Sequence, residues 1–189
     1  MSDDSLADRR KELEESFFRK QNQALVDKLK AEKKKVLDKE GIRRVSGIAD
    51  DAVLERLVAL HMNAETRAAL TLFPLIEVAW ADGAVADKEK KVVVEVASQT
   101  GIQLGSDAMA VLEGWLAVPP APAVHDAWVK YVQALVKTLS AVDRAVLKKE
   151  VLGRARAVAE AAGGMMGMGN KVSRLEAAAL KKLEAPFDA

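Results

Sequence analysis

Three carboxylates gather around one turn of the sequence. In VAWADGAVADKEKK, residues 78–91, Asp82 precedes a glycine, and Asp87 and Glu89 open the helical pattern behind it. Carboxylate oxygens are the ligands of hard cations: calcium takes about six to eight, and magnesium an octahedron that water usually completes. Asp82, Asp87 and Glu89, with Glu77 and turn carbonyls as additions, supply a partial shell for a divalent cation such as calcium or magnesium. The stretch is not an EF-hand, because it lacks that loop's alternating acidic ligands and closing bidentate glutamate. Each residue also has a structural reading. Gly83 suits the left-handed conformation that ends a helix. Asp87 and Glu89 favour the positive end of the next helix, and Glu89 can form half of a capping box. Asp82 is the misfit, since a helix C-terminus disfavours negative charge.

Other chemistry finds little support. The absence of cysteine removes thiol catalysis, disulfides and thiolate metal sites. His61 and His125 belong to no zinc-binding H-x-x-x-H or H-E-x-x-H pattern, and His61 suits the end of an amphipathic helix, where an imidazolium would complement the dipole. No G-x-S-x-G elbow is present, so no catalytic residue is assigned and the chain reads as non-enzymatic. The loop GGMMGMGN, residues 163–170, is not a phosphate loop, because no G-K-[ST] follows. Its Met165, Met166 and Met168 either plug the core or form an adaptable contact for a protein or membrane partner. Trp80, Trp115 and Trp128 fall on apolar faces and read as core.

The elements that must hold these residues are helices. Half of the 189 residues are apolar, enough for a sizeable core, while Ala, Leu, Val, Lys and Glu dominate and aromatic strand formers are scarce. An all-α fold follows. With 29 basic and 28 acidic side chains, no overall field draws the chain to nucleic acid. No apolar run approaches the roughly 20 residues of a membrane span, and MSDDSLADRR lacks a signal-peptide core, so a cytoplasmic location is expected.

Two unequal parts are expected, a charged helical arm over residues 1–44 and a helical bundle over 45–189. Residues 5–40 contain neither Gly nor Pro and read as one long helix. Its apolar positions Leu6, Leu13, Phe17, Leu25, Leu29 and Val36 are separated by steps of 7, 4, 8, 4 and 7, a narrow stripe rather than a broad core face. Residues 1–27 hold five basic and seven acidic side chains, whereas residues 28–44 hold eight basic and three acidic. KLKAEKKK reads as a solvated surface or a phosphate or lipid contact, and without interleaved aromatic or base-reading residues it does not point to nucleic acid. Adjacent Phe17 and Phe18 cannot both fit a narrow stripe, so one is expected to dock on a partner or on the bundle. A homodimer through the arm is a further alternative.

Beyond Gly47, helices are expected near 50–61, 64–72, 73–81, 86–100, 106–117, 122–139, 141–162 and 173–185, with the nearly all-apolar 73–81 at the centre. VAWADG at 78–83 is echoed by VAEAAG at 158–163, and AVADKEKKVVVEVA at 84–97 by KVSRLEAAALKKLE at 171–184. The second copy carries a complete S-x-x-E capping box, Ser173 and Glu176; the first has Ala86 in place of the serine but keeps Glu89. Asp82 corresponds to Ala162, so only the first turn is a candidate for cation binding.

This pattern resembles the TerB-like family of bacterial tellurite-resistance and stress proteins. The resemblance rests on VAWADGAVADKEKK and GGMMGMGNKVSRLEAAALKKL and spans residues 64–187 in general layout. It implies a compact all-helical domain with internally related halves. It also implies a divalent-cation site, which falls on Asp82, Asp87 and Glu89; Ala86, Ala162 and the Gly/Met insertion depart from the pattern and speak against a second site. The expected function is a non-enzymatic adaptor or scaffold in bacterial stress response, with Phe17, Phe18, Met165, Met166 and Met168 as partner contacts. The alternative is a regulatory subunit whose arm inserts into a larger machine such as an ATPase. The arm's sequence is similar to the start of a small ATP-synthase inhibitor of proteobacteria.

Overall fold

The computed structural model describes residues 3–162 and 172–188, with the side chains of 3–18 and 162 outside that description. Among the described residues the protein is all-helical. Helix α1 spans Asp3–Ser46, α2 Asp51–Ala59, α3 Arg67–Thr71, α4 Phe73–Ala79 and α5 Asp87–Gln99; α6 spans Asp107–Ala117, α7 Pro122–Val136, α8 Ala141–Ala162 and α9 Arg174–Glu184, and a 3-10 turn over Ala185–Asp188 closes the chain. None of these helices is long and apolar enough to cross a membrane.

Local chemistry sets most of the boundaries. The Asp50 carboxylate caps α2 by accepting the Ala52 and Val53 N–H groups at 3.0 and 3.2 Å, and the Ser106 hydroxyl accepts Met109 N–H at 3.3 Å to open α6. Pro74 sits in the first turn of α4, where its missing N–H costs nothing. Helix α2 ends in paired reverse hydrogen bonds, Met62 N–H to Leu57 C=O and His61 N–H to Val58 C=O, both 2.9 Å. His61 therefore occupies the left-handed position, with φ of 59°, and closes the helix through its backbone while its ring is exposed.

Helix α4 lies at the centre. Every residue in it except Glu77 is buried, and it packs against α8, α9, α5, α6 and α3. Small buried residues, Ala79 in α4 with Ala155 and Ala159 in α8, leave room for close approach of these two helices. The Phe73 ring meets Trp115 edge-on at 6.0 Å and lies 6.0 Å from Trp128, which also meets Phe187 at 6.3 Å and His125 at 6.4 Å. Trp128 is buried as expected, whereas Trp80 and Trp115 are half-buried at the rim of the core.

The first helix, expected to end near residue 40, runs further. Gly41 does not stop α1, which continues to Ser46 before Gly47 turns the chain at a φ of 70°. Beyond Asp38 the helix is already part of the bundle. Ile42 is fully buried, as is Ile48 just after the helix, and the Lys39 ammonium lies 3.0 Å from Glu55 and 3.3 Å from Asp51 on α2, while Arg43 also pairs with Asp51. The hydrogen bond to Glu55 raises the Lys39 pKa above its usual value, against the opposing effect of burial and with further help from Asp51. Junction residues thus anchor the arm's base in the core.

Candidate functional site

The acidic turn is built by the end of α4 and the start of α5. Gly83, with φ of 92°, supplies the left-handed step, and Gly83 N–H donates to Trp80 C=O at 3.0 Å. One Asp82 carboxylate oxygen accepts Ala84 N–H at 3.1 Å, an Asx turn that gives this carboxylate a backbone partner three residues beyond α4. That contact answers the electrostatic misfit read from the sequence: Asp82 belongs to the turn and not to the negative end of the helix. The Trp80 indole N–H donates to Trp115 C=O at 2.8 Å and ties the same turn to α6.

Glu89 behaves differently from the other two acids. It is 3% exposed, and its Oε2 accepts Ala86 N–H at 2.7 Å. Ala86 has no side-chain acceptor, so this is the glutamate half of a capping box alone. Burial pushes the Glu89 carboxyl above the usual carboxylate range, opposed by the Ala86 hydrogen bond and reinforced by the charges of Asp82 and Glu176. Asp82 and Asp87 are both exposed. Among the described residues, no group of three or more His, Asp or Glu side chains is arranged to hold a metal ion. What the turn offers a cation is two exposed carboxylates and a third already used as a cap.

A second cluster joins parts of the chain that the sequence keeps far apart. Glu77, pointing off α4, places Oε2 3.0 Å from the His125 Nδ1 of α7 and Oε1 3.1 Å from the Lys182 ammonium of α9. The Glu77 and His125 side chains are each 19% exposed, and the imidazole also packs on Phe73 at a centroid distance of 5.9 Å. Glu77 is therefore committed to these two partners and is not an added ligand of the Asp82 turn. An open groove of about 390 Å³ runs beside it, lined by Trp80, Pro119, Pro120, Leu175 and Lys182 among others. Among the described residues, Glu77 and Lys182 are the charged side chains of this lining, which contains no Ser or Thr.

The third candidate is the arm. All of residues 19–37 are exposed, and Leu25, Leu29, Val36 and Leu37 are 57, 59, 61 and 63% exposed. Of the partner contacts expected from the sequence, Phe17 and Phe18 sit on α1 outside the described side chains, and Met165, Met166 and Met168 lie outside the described residues. Compared with protein-family models, curated proteins and solved structures, the chain matches none.

Proposed function

We propose that the protein is a non-enzymatic helical adaptor in which the bundle serves as a rigid base and the α1 arm as the contact element. The observation that carries this reading is the unpartnered run of residues 19–37, with four large aliphatic side chains more than half exposed on a helix rooted in the core by Ile42. An isolated helix gains little stability on its own in water, and apolar side chains displayed along it favour a partner that covers them. The TerB-like motif adds a context of stress response, which growth of a deletion strain on tellurite would test. The reading needs no cofactor, and the Asp82 turn serves it as the joint between α4 and α5.

The basic half of the arm supports a second version, in which the same helix enters an acidic groove of a larger machine and inhibits it. A photo-crosslinking side chain at Leu29, with one at the exposed bundle residue Leu104 as control, tests the adaptor in cells. The expected result is a defined adduct with another polypeptide from Leu29 and none from Leu104. No adduct from the arm would end the adaptor reading, and substrate turnover abolished by Glu77→Gln or His125→Gln would replace it with an enzyme.

A further inference from the structure

The stripe on α1 is a palindrome. Its steps of 7, 4, 8, 4 and 7 read the same in both directions, so its six residues are arranged symmetrically about Gln21. Leu6 and Val36 lie fifteen residues from that centre, Leu13 and Leu29 eight, and Phe17 and Leu25 four. If a second copy of the helix is laid alongside in the opposite direction with Gln21 beside Gln21, every stripe residue comes level with another stripe residue. The structure supplies the unpartnered half of this face, since Leu25, Leu29 and Val36 are all more than half exposed.

Two further features select the direction and the register. The arm is acidic in its first half and basic in its second. A parallel pair would place acid on acid and Lys33, Lys34 and Lys35 beside their own copies, whereas the antiparallel pair sets each half against its complement. About Gln21, Asp8 comes level with Lys34, Arg10 with Glu32, Glu12 with Lys30 and Glu14 with Lys28. Asp4 with Asp38, Arg9 with Lys33 and Glu15 with Asp27 are the like-charged exceptions. The centre itself is polar, Gln21-Asn22-Gln23, and a polar layer in an otherwise apolar seam is a known way to fix register.

The exposed length of the helix fits the same centre. The unbroken run of exposed residues ends at Leu37, with Asp38 and Lys39 half-buried against the bundle, and the position level with Leu37 is Ser5. An overlap centred on Gln21 and running from Ser5 to Leu37 therefore covers the exposed stretch 19–37 and stops where the bundle begins. We propose that the arm pairs with the arm of a second copy, antiparallel and centred on Gln21, holding two bundles at opposite ends of a common rod. At 1.5 Å per residue the two Ile42 anchors stand about 60 Å apart. This rests on the adaptor reading for the arm as the contact element, and it names the partner as the chain itself.

The chain contains no cysteine, which makes the direction testable by disulfide trapping. Full-length Leu6→Cys and Val36→Cys chains of different tag length are mixed and oxidised, and the mass of the wild-type chain is measured by light scattering at low and high salt. The expected results are a doubled mass that falls with salt, a mixed disulfide in preference to either self-disulfide, and loss of the dimer in Leu25→Glu/Leu29→Glu with helical content of the bundle kept. A monomer at all micromolar concentrations, self-disulfides alone, or a dimer that survives the double glutamate variant would each overturn the proposal. Crosslinking of Leu29 to a different protein, or binding of the monomer to anionic vesicles through the stripe, would also overturn it. The first of these leaves the adaptor reading standing, so the two failures are distinguishable.

Discussion

Glu89 and Glu176 occupy the same place in the two halves of the bundle. Each is buried, and each turns an Oε2 back onto the N–H three residues earlier, Ala86 at 2.7 Å and Ser173 at 2.5 Å. The equivalence extends to their surroundings: Val85 and Val172 both pack at the edge of the core, and Val78 and Val158 are both buried. The other half of the cap differs. The Ser173 hydroxyl accepts Glu176 N–H at 3.2 Å, while Ala86 offers no acceptor to Glu89 N–H.

Restoring the missing half should stabilise the protein. Ala86 has φ and ψ of −72° and 152°, close to the −67° and 166° of Ser173, so a serine there would enter a backbone already shaped for capping. Ala86→Ser is expected to raise unfolding free energy by about 0.5–1 kcal/mol, and Ser173→Ala to lower it by about 1 kcal/mol. Urea titration of the full chain measures both. A neutral or destabilising Ala86→Ser would show that the two turns are not equivalent in geometry.

Glu89 should make stability depend on pH in a defined direction. Its folded-state pKa is raised, chiefly by burial, so the folded protein holds this proton more tightly than the unfolded chain does. The stability it contributes is therefore complete below the unfolded carboxylate value and is lost as pH rises through the higher folded one. Glu89→Gln keeps an oxygen for Ala86 N–H and removes the titration. The difference between wild type and variant should shift in favour of the glutamine as pH goes from about 4 to about 7. A shift toward the wild type over that range would show that the hydrogen bond outweighs burial.

The Asp82 turn distinguishes a joint from a cation site. If the carboxylate serves Ala84 N–H, Asp82→Asn should fold as stably as wild type, and Asp82→Ala should lose about 0.5–1.5 kcal/mol. Thermal unfolding in calcium and magnesium, followed through Trp80, should show the same Tm with and without either ion. A cation held at a hundred times its dissociation constant would instead add about 2.7 kcal/mol, and loss of that gain in Asp82→Asn would establish the site.

Helices were legible in the sequence because their ends are local chemistry. Ser173 announces a start, Gly83 announces an end, and the apolar run of α4 announces its central place. Gly41 misleads because glycine terminates a helix only where the chain needs a left-handed step; here the core contact of Ile42 carries α1 through it. The joining of Glu77 to His125 and Lys182 could not be read, since these partners lie 48 and 105 residues away and only the packing of α7 and α9 on α4 brings them together. The narrow stripe of α1 pointed to an arm rather than a core helix, and the structure adds that residues 19–37 are exposed.

The arm and its anchor should respond differently to truncation of one aliphatic side chain. Ile42 is fully buried at the junction, so Ile42→Ala removes packing from the core and is expected to cost about 2–4 kcal/mol at any protein concentration. Leu25 is 57% exposed and touches nothing in the bundle's core, so Leu25→Ala should change the stability of the isolated chain by less than about 0.5 kcal/mol. If two arms pair through the stripe, that small effect must grow as the chain is concentrated, because the leucine is then covered by a second copy. Thermal melts of both variants across a concentration series separate the cases. A Leu25→Ala effect that stays small at every concentration would leave the stripe without a role in self-association, and an Ile42→Ala effect equally small would detach the base of α1 from the core.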